Sequence, residues 1–505
     1  MKNLKKISKI LLYALLAIII VLNILIIFEI DWVQKNVGFV SFDEIIFHLR
    51  VPLKGTSSDI VKDNIIKCFL PTFIISGVIL FLLYKINRYK SYIYISFKKK
   101  EYKLRIKYIF LVGCLILSTV FLSIRISYID EMFNVSSYLK ARSEQSDFFE
   151  KNYVDPRNIK LEFPEEKRNL IYIYIESMES SFQDVNLDGE DINIIPKLTE
   201  LAKDNINFSD TDDVGGFYNM FGTNWTASAM IAQSMGIHYN TPIQDNKYVE
   251  YNSVMASLTN IGDILKDNGY YQEIIMGSDS SFAAKNVFFE KHGKFVIKDL
   301  NSLKKEKIIT KDYDVNWGFE DSILFNYAKD ELKKISEKDE PFNLTLLTSN
   351  SHFPDGYVED DCDTISDNNS YANSVYCSQQ QLYDFVSWIK KQDFYENTTV
   401  ILVGDHLTMA SNDMLKEKYE DRRVYNAIIN SATTSDTYKN RKFTAFDMFP
   451  TTLASMGVKI ENNKLGLGVN LFSDKKTLLE KNDYDYVYTE LSKKSDYYEK
   501  IIYNN

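Results

Sequence analysis

The sequence predicts an α/β protein, in which an N-terminal region of three transmembrane helices precedes a large exported domain with a largely parallel sheet. Three observations support this prediction: long apolar runs confined to the first quarter of the chain, positive charge concentrated on one side of them, and short apolar strands that alternate with helices farther on. The 505 residues, 45% of them hydrophobic and 25% charged, are enough for a membrane region and one large folded domain.

Three runs in the first quarter are long and apolar enough to cross a bilayer, at about residues 10–30, 65–84 and 108–127. The first follows a basic flank, but it is too long for a signal peptide and lacks a small-residue cleavage site. We therefore interpret it as a retained helix. We assign residues 1–130 to a membrane region and residues 131–165 to a juxtamembrane linker.

The distribution of positive charge indicates how these helices are oriented. Lysine and arginine cluster before the first run and between the second and third, at Lys2, Lys5, Lys6, Lys9, Lys85, Arg88, Lys90, Lys98, Lys99, Lys100, Lys103, Arg105 and Lys107. By the positive-inside rule both segments are cytoplasmic, which places the chain after about residue 130 on the outer side of the cell membrane, periplasmic or extracellular. A nucleic-acid role for the basic loop is the alternative, and the adjacent apolar runs and a net charge of -10 argue against it.

The four cysteines agree with this arrangement. Cys68 and Cys114 lie inside predicted spans, where a thiol acts as a small apolar side chain. Cys362 and Cys377 flank a polar stretch of the exported part, and in an oxidising compartment we expect them to form a disulfide worth about 3 kcal/mol. Two unpaired thiols are the alternative.

Strand and helix signals alternate along the exported part. NLIYIYIE is a β-branched and aromatic run typical of a central strand, and IIPKLTELAKDNI follows it as a helix. The alternation continues through IGDILKDNGY, YQEIIMG, DSILFNYAKDELKKI, FNLTLLTS, QQLYDFVSWIKK and TVILVGD. This pattern indicates a largely parallel sheet in a domain that we place at 166–475. We predict that the charged, tyrosine-rich tail, 476–505, is a surface helix or a partly mobile end.

Several of these strands end in a polar residue. NLIYIYI ends at Glu176, TVILVG at Asp405-His406, FNLTLLTSN just before His352, and YQEIIMG just before Ser278-Asp279. In open α/β sheets, ligands bind outside the carboxyl ends of the strands. Glutamate, aspartate and histidine together make an oxygen and nitrogen shell suited to Mn, Zn or Mg. A turn or helix-cap role is the alternative for a single residue of this kind, above all for Asp279.

A candidate nucleophile lies at a predicted helix start. The stretch VGGFYNMFGTNWTASAMIAQSMG, residues 214–236, has a glycine-rich loop, then Trp225-Thr226, then a helix of small residues. A hydroxyl at this place would lie among backbone N–H groups that favour a phosphate. An ordinary threonine cap is the alternative.

Nine segments in the order IYIESMESSF, FGTNWTASAMIAQSMGI, GDILKDNGY, GSDSSFAAKNVFFEKHG, WGFEDSIL, NSHFPDGYVEDDC, ILVGDHLTM, FDMFPTTLASMG and GLGVNLFSD run from about residue 168 to 475. They resemble the alkaline phosphatase/sulfatase superfamily, in its branch of membrane-anchored phosphoglycerol transferases and lipoteichoic acid synthases. The closer resemblance is to the transferases that decorate periplasmic glucans. SFDEIIFHLRVPLKGT, residues 41–56, also resembles that branch.

The resemblance implies a metal site and a nucleophile. One divalent metal, Mn in most members with Mg or Zn as the alternatives, would be bound by Glu176, Thr226, Asp405 and His406. Thr226 would be the catalytic nucleophile.

The resemblance also implies a set of substrate-binding residues. His352, in the motif SHFPDG, would bind the phosphate and protonate a leaving group. Asp279, Lys285 and Trp317 fall in motifs that line the substrate pocket of the family. Purely structural roles in turns or packing are the alternative for these three residues.

The implied reaction is a transfer of sn-glycerol 1-phosphate from phosphatidylglycerol to a cell-envelope glycan or polyol. It would pass through a glycerophospho-threonine and release diacylglycerol. A phosphoethanolamine transferase, a polyglycerolphosphate polymerase and a plain phosphodiesterase are alternatives within the superfamily. A non-catalytic surface protein that binds glycans or teichoic polymers is an alternative of another class.

The sequence departs from relatives at three places. Asn224 stands where the glucan enzymes have glycine, and asparagine also tolerates a left-handed backbone. Trp225 stands where the lipoteichoic acid synthases have lysine, which argues against the polymerase. The sulfatases themselves need a cysteine or serine with arginine four positions on, whereas here Thr226 is followed by Ala227, Ser228, Ala229 and Met230.

Overall fold

The computed structural model describes residues 2–36, 40–50, 58–88, 91–97, 100–240, 255–313, 315, 317–409, 414–435 and 438–503. The chain divides into two compact units. The first consists of Met1–Gly38 and Thr56–Ser136, and the second of Phe39–Gly55 and Ser137–Asn505. The short segment between the first two apolar helices therefore belongs to the second unit.

The first unit contains three helices that are long and apolar enough to cross a membrane, among the residues described. They cover Ile10–Asn36, Val61–Ile86 and Ile106–Phe133, so each exceeds the apolar run that predicts it. The second span combines the helices Ser58–Asn64 and Leu70–Asn87 with a π-helical turn at Ile65–Phe69. The basic stretch before the third span forms an antiparallel hairpin of the strands Tyr92–Phe97 and Lys100–Arg105.

A mixed sheet forms the centre of the second unit. Its strands, in spatial order and within the described residues, are Gly216–Phe217, Val424–Ile429, Thr398–Gly404, Asn169–Ile175, Phe342–Leu347, Tyr271–Met276 and Val296–Lys298. The last five are parallel to one another, whereas Val424–Ile429 is antiparallel to both of its neighbours. The prediction of an α/β fold with a largely parallel sheet is confirmed.

Both faces of this sheet are covered, as expected of parallel strands. In Asn169–Ile175, Tyr172 and Tyr174 pack into one hydrophobic cluster, whereas Ile171, Ile173 and Ile175 pack into another. Among the described residues, the α-helices that lie wholly or mostly in the second unit are Phe42–Arg50, Val135–Ser143, Phe148–Asn152, Pro196–Asp204, Thr226–Met235, Ile261–Asp267, Lys285–Lys291, Leu300–Glu306, Asp321–Ile335, Ser370–Ile389, Met448–Ser455, Leu478–Lys481, Tyr484–Ser492 and Asp496–Tyr503. Short antiparallel pairs join Leu161–Glu162 to Lys459–Ile460, Val185–Leu187 to Glu190–Ile192, and Lys464–Leu465 to Gly468–Val469.

Over its described part, the C-terminal tail forms three helices, Leu478–Lys481, Tyr484–Ser492 and Asp496–Tyr503, and apolar side chains of these helices are buried. Val487 is 0% exposed and Leu491 is 2% exposed, and both belong to the main hydrophobic cluster. The Tyr498 hydroxyl donates a 2.9 Å hydrogen bond to the His238 carbonyl. The charged composition of the tail hides these apolar positions, because they recur with helical spacing between charged residues.

Parallel neighbours bring their carboxyl ends to one edge of the sheet. Thr398–Gly404 pairs with Asn169–Ile175, which pairs in turn with Phe342–Leu347. The residues that follow these three strands therefore meet at the same edge.

Candidate metal and catalytic site

Three buried side chains form a compact cluster at this edge. Glu176 follows Asn169–Ile175, and Asp405 and His406 follow the neighbouring strand. One ligand atom from each residue lies within 4.8 Å of the other two. The arrangement is a mixed carboxylate and imidazole set of the kind that the strand ends predict.

The two carboxylate oxygens of Asp405 have different environments. The backbone N–H groups of Ser177 and His406 each donate a 2.8 Å hydrogen bond to Oδ1. Oδ2 is buried, has no hydrogen-bond partner among the described residues, and lies 3.4 Å from His406 Nε2. Because buried polar atoms are nearly always partnered, Oδ2 has the properties of an open ligand position.

The orientation of His406 leaves one nitrogen available. Its Nδ1 lies 2.8 Å from the Leu407 carbonyl, which can only accept a hydrogen bond, so Nδ1 carries a proton. Nε2 then faces the carboxylates, 3.8 Å from Glu176 Oε1. In neutral imidazole this nitrogen has the lone pair that binds a metal.

Electrostatics indicate that the cluster favours a cation. Burial, with the charge of Glu176, raises the pKa of Asp405 to about 7. Burial lowers the pKa of His406, but the charges of Asp405 and Glu176 outweigh that effect and bring it to about 9. The cluster therefore holds protons that a divalent cation would displace. The cluster fits one divalent metal for three reasons: the types of its donor atoms, the unpartnered Oδ2 of Asp405, and the short distances between the three side chains.

Thr226 is oriented towards this cluster. It is the first residue of Thr226–Met235, and Trp225 before it is extended, with φ -137° and ψ 158°. Thr226 Oγ1 lies 3.4 Å from Glu176 Oε2 and 3.5 Å from His406 Nε2. The capping role falls instead on Ser228, whose Oγ accepts a 3.2 Å hydrogen bond from the Trp225 N–H. The threonine-cap alternative is therefore wrong, and the hydroxyl lies between a helix N-terminus and the metal cluster.

The turn before Trp225 depends on a glycine two residues from Asn224. Asn224 does not adopt a left-handed backbone, whereas Gly222 does, with φ +68°. A Cβ built at Gly222 would lie 2.2 Å from the Tyr239 carbonyl oxygen. Gly222, and not Asn224, is therefore the residue that takes the left-handed backbone in this turn.

His352 lies at the same edge, on the next strand end. Its Nδ1–H donates a 2.7 Å hydrogen bond to the Phe353 carbonyl, and its ring lies 4.3 Å from the Trp317 ring. Burial lowers the pKa of His352 to about 4, so the imidazole is neutral at pH 7 and Nε2 carries a lone pair. The hydroxyl of Ser351, the residue before His352, donates a 2.7 Å hydrogen bond to the Glu176 carbonyl, which ties this strand end to the metal cluster.

Lys285 lies at the end of a row of contacting side chains that starts at His352. The Trp317 ring lies 5.8 Å from the Phe282 ring, and Lys285 Nζ lies 4.9 Å from the centre of that same Phe282 ring. Lys285 is 5% exposed and donates a 3.1 Å hydrogen bond to the Phe282 carbonyl. Burial lowers its pKa to about 8, although the charge of Glu176 opposes the shift. The ammonium group is therefore buried against Phe282, and a contact of Lys285 with substrate stays a prediction.

Asp279 has a defined role in a turn. Its Oδ1 accepts a 2.8 Å hydrogen bond from the Ser281 N–H, the pattern of an Asx turn. Its charge also acts on Lys285. The structure thus gives Asp279 the turn role that the sequence left as an alternative, and a contact with substrate stays a prediction.

Three polar residues that the sequence did not single out hold the cluster in place. Ser177 has φ +52°, and its hydroxyl donates a 2.7 Å hydrogen bond to Glu176 Oε1. Thr348 Oγ1 accepts a 3.0 Å hydrogen bond from the Glu176 N–H, and Gln233 donates one of the same length to the Gly404 carbonyl. Ser177 and Thr348 directly follow or lie next to strand ends, which is the signal that would have found them.

A buried ion pair supports the loop after His406. Arg422 contacts Glu179 through two hydrogen bonds of 2.7 and 2.9 Å, and both side chains are at most 1% exposed. Arg422 also donates a 2.9 Å hydrogen bond to the Thr408 carbonyl. The sequence offers no signal for this pair, because more than 240 residues separate its members.

The segment after His352 is held by covalent and polar contacts. Cys362 and Cys377 form a disulfide, with their Cα atoms 5.4 Å apart. Glu359 Oε1 accepts a 2.7 Å hydrogen bond from Asn350. These contacts fix the stretch that carries His352 on the side of Ser370–Ile389.

Comparison with known families agrees with this geometry. The Sulfatase family model matches residues 168–458, more than half of the chain. The chain belongs to the sulfatase family. The match covers the strands that precede Glu176 and Asp405, the helix Thr226–Met235, and His352.

Curated relatives of this sulfatase-family chain carry a more specific name. Phosphoglycerol transferase I of Escherichia coli is 28% identical over 340 residues, which are 66% of this chain and 42% of that protein. Phosphoglycerol transferase I of Salmonella choleraesuis is 28% identical over 317 residues, which are 61% of this chain and 40% of that protein. The chain thus spans less than half the length of these relatives.

A solved structure shares the fold. The lipoteichoic acid synthase LtaP from Listeria monocytogenes superposes with a TM-score of 0.50 at 17% sequence identity, covering 63% of this chain and 79% of that one. At this identity the likeness concerns the fold of the sulfatase family and not the substrate.

Proposed function

We propose that the protein transfers a phosphoglycerol group from phosphatidylglycerol to a hydroxyl of a cell-envelope glycan or polyol. The observation that carries the proposal is the position of Thr226 Oγ1, 3.4 Å from Glu176 and 3.5 Å from His406, at the start of a helix. The curated phosphoglycerol transferases among its relatives support the choice of group. Three apolar helices suit a donor that is itself a membrane lipid.

Glu176, Asp405, His406 and Thr226 would hold the metal. When bound, the metal supplies positive charge that favours the Thr226 alkoxide and the phosphoryl oxygens. A mixture of oxygen and imidazole donors suits Mn, Mg or Zn, and the family resemblance favours Mn among them.

In the first step, Thr226 Oγ1 attacks phosphorus and the bond from phosphorus to the diacylglycerol oxygen breaks. The Thr226 hydroxyl loses its proton to the neighbouring Glu176 carboxylate, the acceptor at 3.4 Å. A glycerophospho-threonine and diacylglycerol result. The backbone N–H groups at the start of Thr226–Met235 stabilise charge on the phosphoryl oxygens.

His352 and Lys285 act on the same phosphoryl group. The phosphodiester anion opposes the effect of burial on His352, so that His352 takes up a proton when the lipid binds. Protonated Nε2 then donates this proton to the departing diacylglycerol oxygen. Lys285, buried next to Trp317 and Phe282, supplies a second positive charge.

In the second step, the acceptor hydroxyl attacks phosphorus and the bond from phosphorus to Thr226 Oγ1 breaks. His352 accepts the proton of the incoming hydroxyl, and Thr226 regains the proton held by Glu176. The enzyme is restored, and the acceptor carries a phosphoglycerol group. We place this reaction on the outer side of the cell membrane, in line with the distribution of lysine and arginine.

The test uses the full chain in lipid with Mn and isotopically labelled phosphatidylglycerol or phosphatidylethanolamine. Diacylglycerol release and the mass of the peptide that carries Thr226 are measured, with Thr226→Ala and Asp405→Asn in parallel. Release from phosphatidylglycerol with a glycerophosphate adduct on Thr226 supports the proposal, and the length of any product separates single transfer from polymerisation. Release from phosphatidylethanolamine alone would make the protein a phosphoethanolamine transferase. A wild-type protein that binds metal and polymer but releases no diacylglycerol would be a binding protein.

A further inference from the structure

The side chain of Gln233 connects three elements of the second unit. Gln233 lies in the helix Thr226–Met235 and is 1% exposed. Its Nε2 donates hydrogen bonds of 3.0 Å to the Gly404 carbonyl and 3.3 Å to the Asp405 carbonyl. Its Oε1 accepts a 2.8 Å hydrogen bond from the hydroxyl of Tyr172, in a central strand of the sheet. A single buried amide therefore joins the helix to two strand segments.

These three elements are the ones from which the four proposed metal ligands extend. Glu176 follows the strand of Tyr172, Asp405 and His406 follow the neighbouring parallel strand, and Thr226 begins the helix. The three hydrogen bonds of the amide thus hold the supports of all four ligands relative to one another.

Gln233 and Thr226 lie on the same face of their helix. Gln233 is seven positions after Thr226, which is about two helical turns and about 10 Å along the axis. At one end of this face, the Thr226 hydroxyl lies 3.5 Å from His406 Nε2. At the other end, the amide holds the backbone of Gly404 and Asp405. Two separated contacts on one face fix the position of the helix, so the placement of the nucleophile depends on the amide.

The partners of Gln233 determine the orientation of its amide. A main-chain carbonyl can only accept a hydrogen bond, so the NH2 group faces the two carbonyls and uses both of its hydrogens. The oxygen of the amide then faces the Tyr172 hydroxyl, which donates to it. A carboxylate at position 233 would offer no hydrogen to the carbonyls, and an apolar side chain would remove all three hydrogen bonds.

We propose that Gln233, oriented by Tyr172, is a positioning residue that sets the Thr226 hydroxyl against the metal ligands. Tyr172 acts through Gln233, because its hydroxyl fixes which end of the amide faces the carbonyls. The effect on turnover rests on the proposed function, whereas the effect on metal binding does not depend on the reaction.

The test compares Gln233→Met with Gln272→Met, both in the full chain in lipid. Gln272 is a matched control, because it is 3% exposed and its Nε2 also donates to two carbonyls, those of Gly262 and Gly293, at 2.8 Å. Its Oε1 accepts a 2.9 Å hydrogen bond from Asn343. Gln272 lies near the amino end of its parallel strand, whereas the candidate site lies at the carboxyl edge of the sheet.

Gln233→Met should weaken Mn binding roughly tenfold and lower kcat for diacylglycerol release roughly 10- to 100-fold, the usual loss when a residue that supports metal ligands is removed. KM should stay within about twofold, because Gln233 holds the catalytic groups and not the lipid. Gln272→Met should lose a similar amount of thermal stability and keep Mn affinity and kcat within about twofold of wild type. Mn affinity is measured by titration calorimetry, and stability by thermal unfolding with chelator.

Tyr172→Phe provides a second, milder variant. It keeps both hydrogen bonds to the carbonyls, so its losses of Mn affinity and kcat should be smaller than those of Gln233→Met. Because Tyr172 acts through Gln233, adding Tyr172→Phe to Gln233→Met should cause little further loss. If Gln233→Met does not fold, Tyr172→Phe alone decides, and wild-type Mn affinity and kcat in that variant would overturn the inference.

The other outcomes separate positioning from general stability. Losses of Mn affinity and kcat in Gln272→Met as large as those in Gln233→Met would overturn the inference, because lost stability would explain both. Wild-type Mn affinity and kcat in a folded Gln233→Met would also overturn it. A wild type that binds Mn but releases no diacylglycerol from phosphatidylglycerol or phosphatidylethanolamine would refute the proposed function, and the Mn affinities of the variants would then decide the inference by themselves.

Discussion

The backbone N–H of Ser177 donates a 2.8 Å hydrogen bond to Oδ1 of Asp405, and this bond joins the ends of two neighbouring parallel strands. It turns Oδ2 of Asp405 towards His406 and Glu176. The metal cluster is therefore assembled by the backbone of one strand end acting on the side chain of another.

Thr226→Ala should lower diacylglycerol release on the order of 10³-fold or more, because it removes the hydroxyl that lies 3.4 Å from Glu176 and that we propose as the nucleophile. Thr226→Ser keeps a hydroxyl at the same position, so this variant should retain measurable turnover and still form the phosphorylated peptide. A rate for Thr226→Ala close to that of wild type would show that the nucleophile lies elsewhere.

Metal affinity should increase with pH between about 7 and 9. The folded, metal-free cluster holds protons on Asp405, with a pKa of about 7, and on His406, with a pKa of about 9. Since the metal needs both groups deprotonated, it competes with those protons at low pH and binds more tightly as they leave. Titration calorimetry with Mn at several pH values, in buffers of different ionisation enthalpy, measures both the affinity and the protons released. A flat affinity over this range would contradict the prediction.

Asp405→Asn should weaken metal binding at least tenfold and yet stabilise the metal-free protein. The pKa of Asp405 is raised from 3.8 to about 7, so its charged form opposes folding at pH 8, and a neutral amide removes that penalty. We expect a gain of about 1–3 kcal/mol without metal and a loss of stabilisation by added Mn. Thermal unfolding with chelator and with Mn tests both signs, and Glu190→Gln serves as the control on the surface.

At saturating Mn, kcat/KM should decline as pH rises above about 8. Burial lowers the pKa of Lys285 to about 8, so its positive charge is present below that pH and lost above it. In Lys285→Met the rate below pH 8 should fall roughly 10- to 100-fold and the alkaline decline should disappear. An identical pH profile in the variant would remove Lys285 from substrate binding.

Breaking the buried pair of Arg422 and Glu179 should destabilise the protein strongly. Either Arg422→Met or Glu179→Gln leaves an uncompensated buried charge or donor, with an expected cost of about 3–5 kcal/mol. The double variant removes both charged groups, and its loss of unfolding free energy should be smaller than the sum of the losses in the two single variants. Denaturant unfolding of the four proteins gives the coupling, and additive effects would contradict the prediction.

Much of the fold followed from sequence patterns because the patterns are local. Apolar length predicts the three membrane-type helices, and strands such as Asn169–Ile175 are continuous β-branched and aromatic runs. The rule that parallel strands share their carboxyl edge then brings Glu176 next to Asp405 and His406, 229 or more residues later, without any knowledge of the loops.

Features that depend on contacts between distant loops could not be predicted. Whether Asn224 or Gly222 takes the left-handed turn depends on how closely Tyr239 approaches. The packing of the helix Phe42–Arg50 against Trp225 through Phe47 joins parts of the chain that are more than 170 residues apart. The many charges of the tail hide its apolar face in the sequence. The contact of Tyr498 with His238 shows which face of the last helix is buried.

Tyr498 also belongs to a larger set of contacts between the segment that follows Ser143 and the C-terminal tail. Ser146 N–H donates to the Lys494 carbonyl, Lys494 N–H donates to the Glu144 carbonyl, and Phe149 lies 5.0 Å from Tyr498. These contacts join the segment around Phe148–Asn152 to the C-terminal helices. Deleting either segment would remove the packing partner of the other and expose apolar side chains such as Phe149 and Tyr498. Shortened versions of the domain should therefore keep both ends.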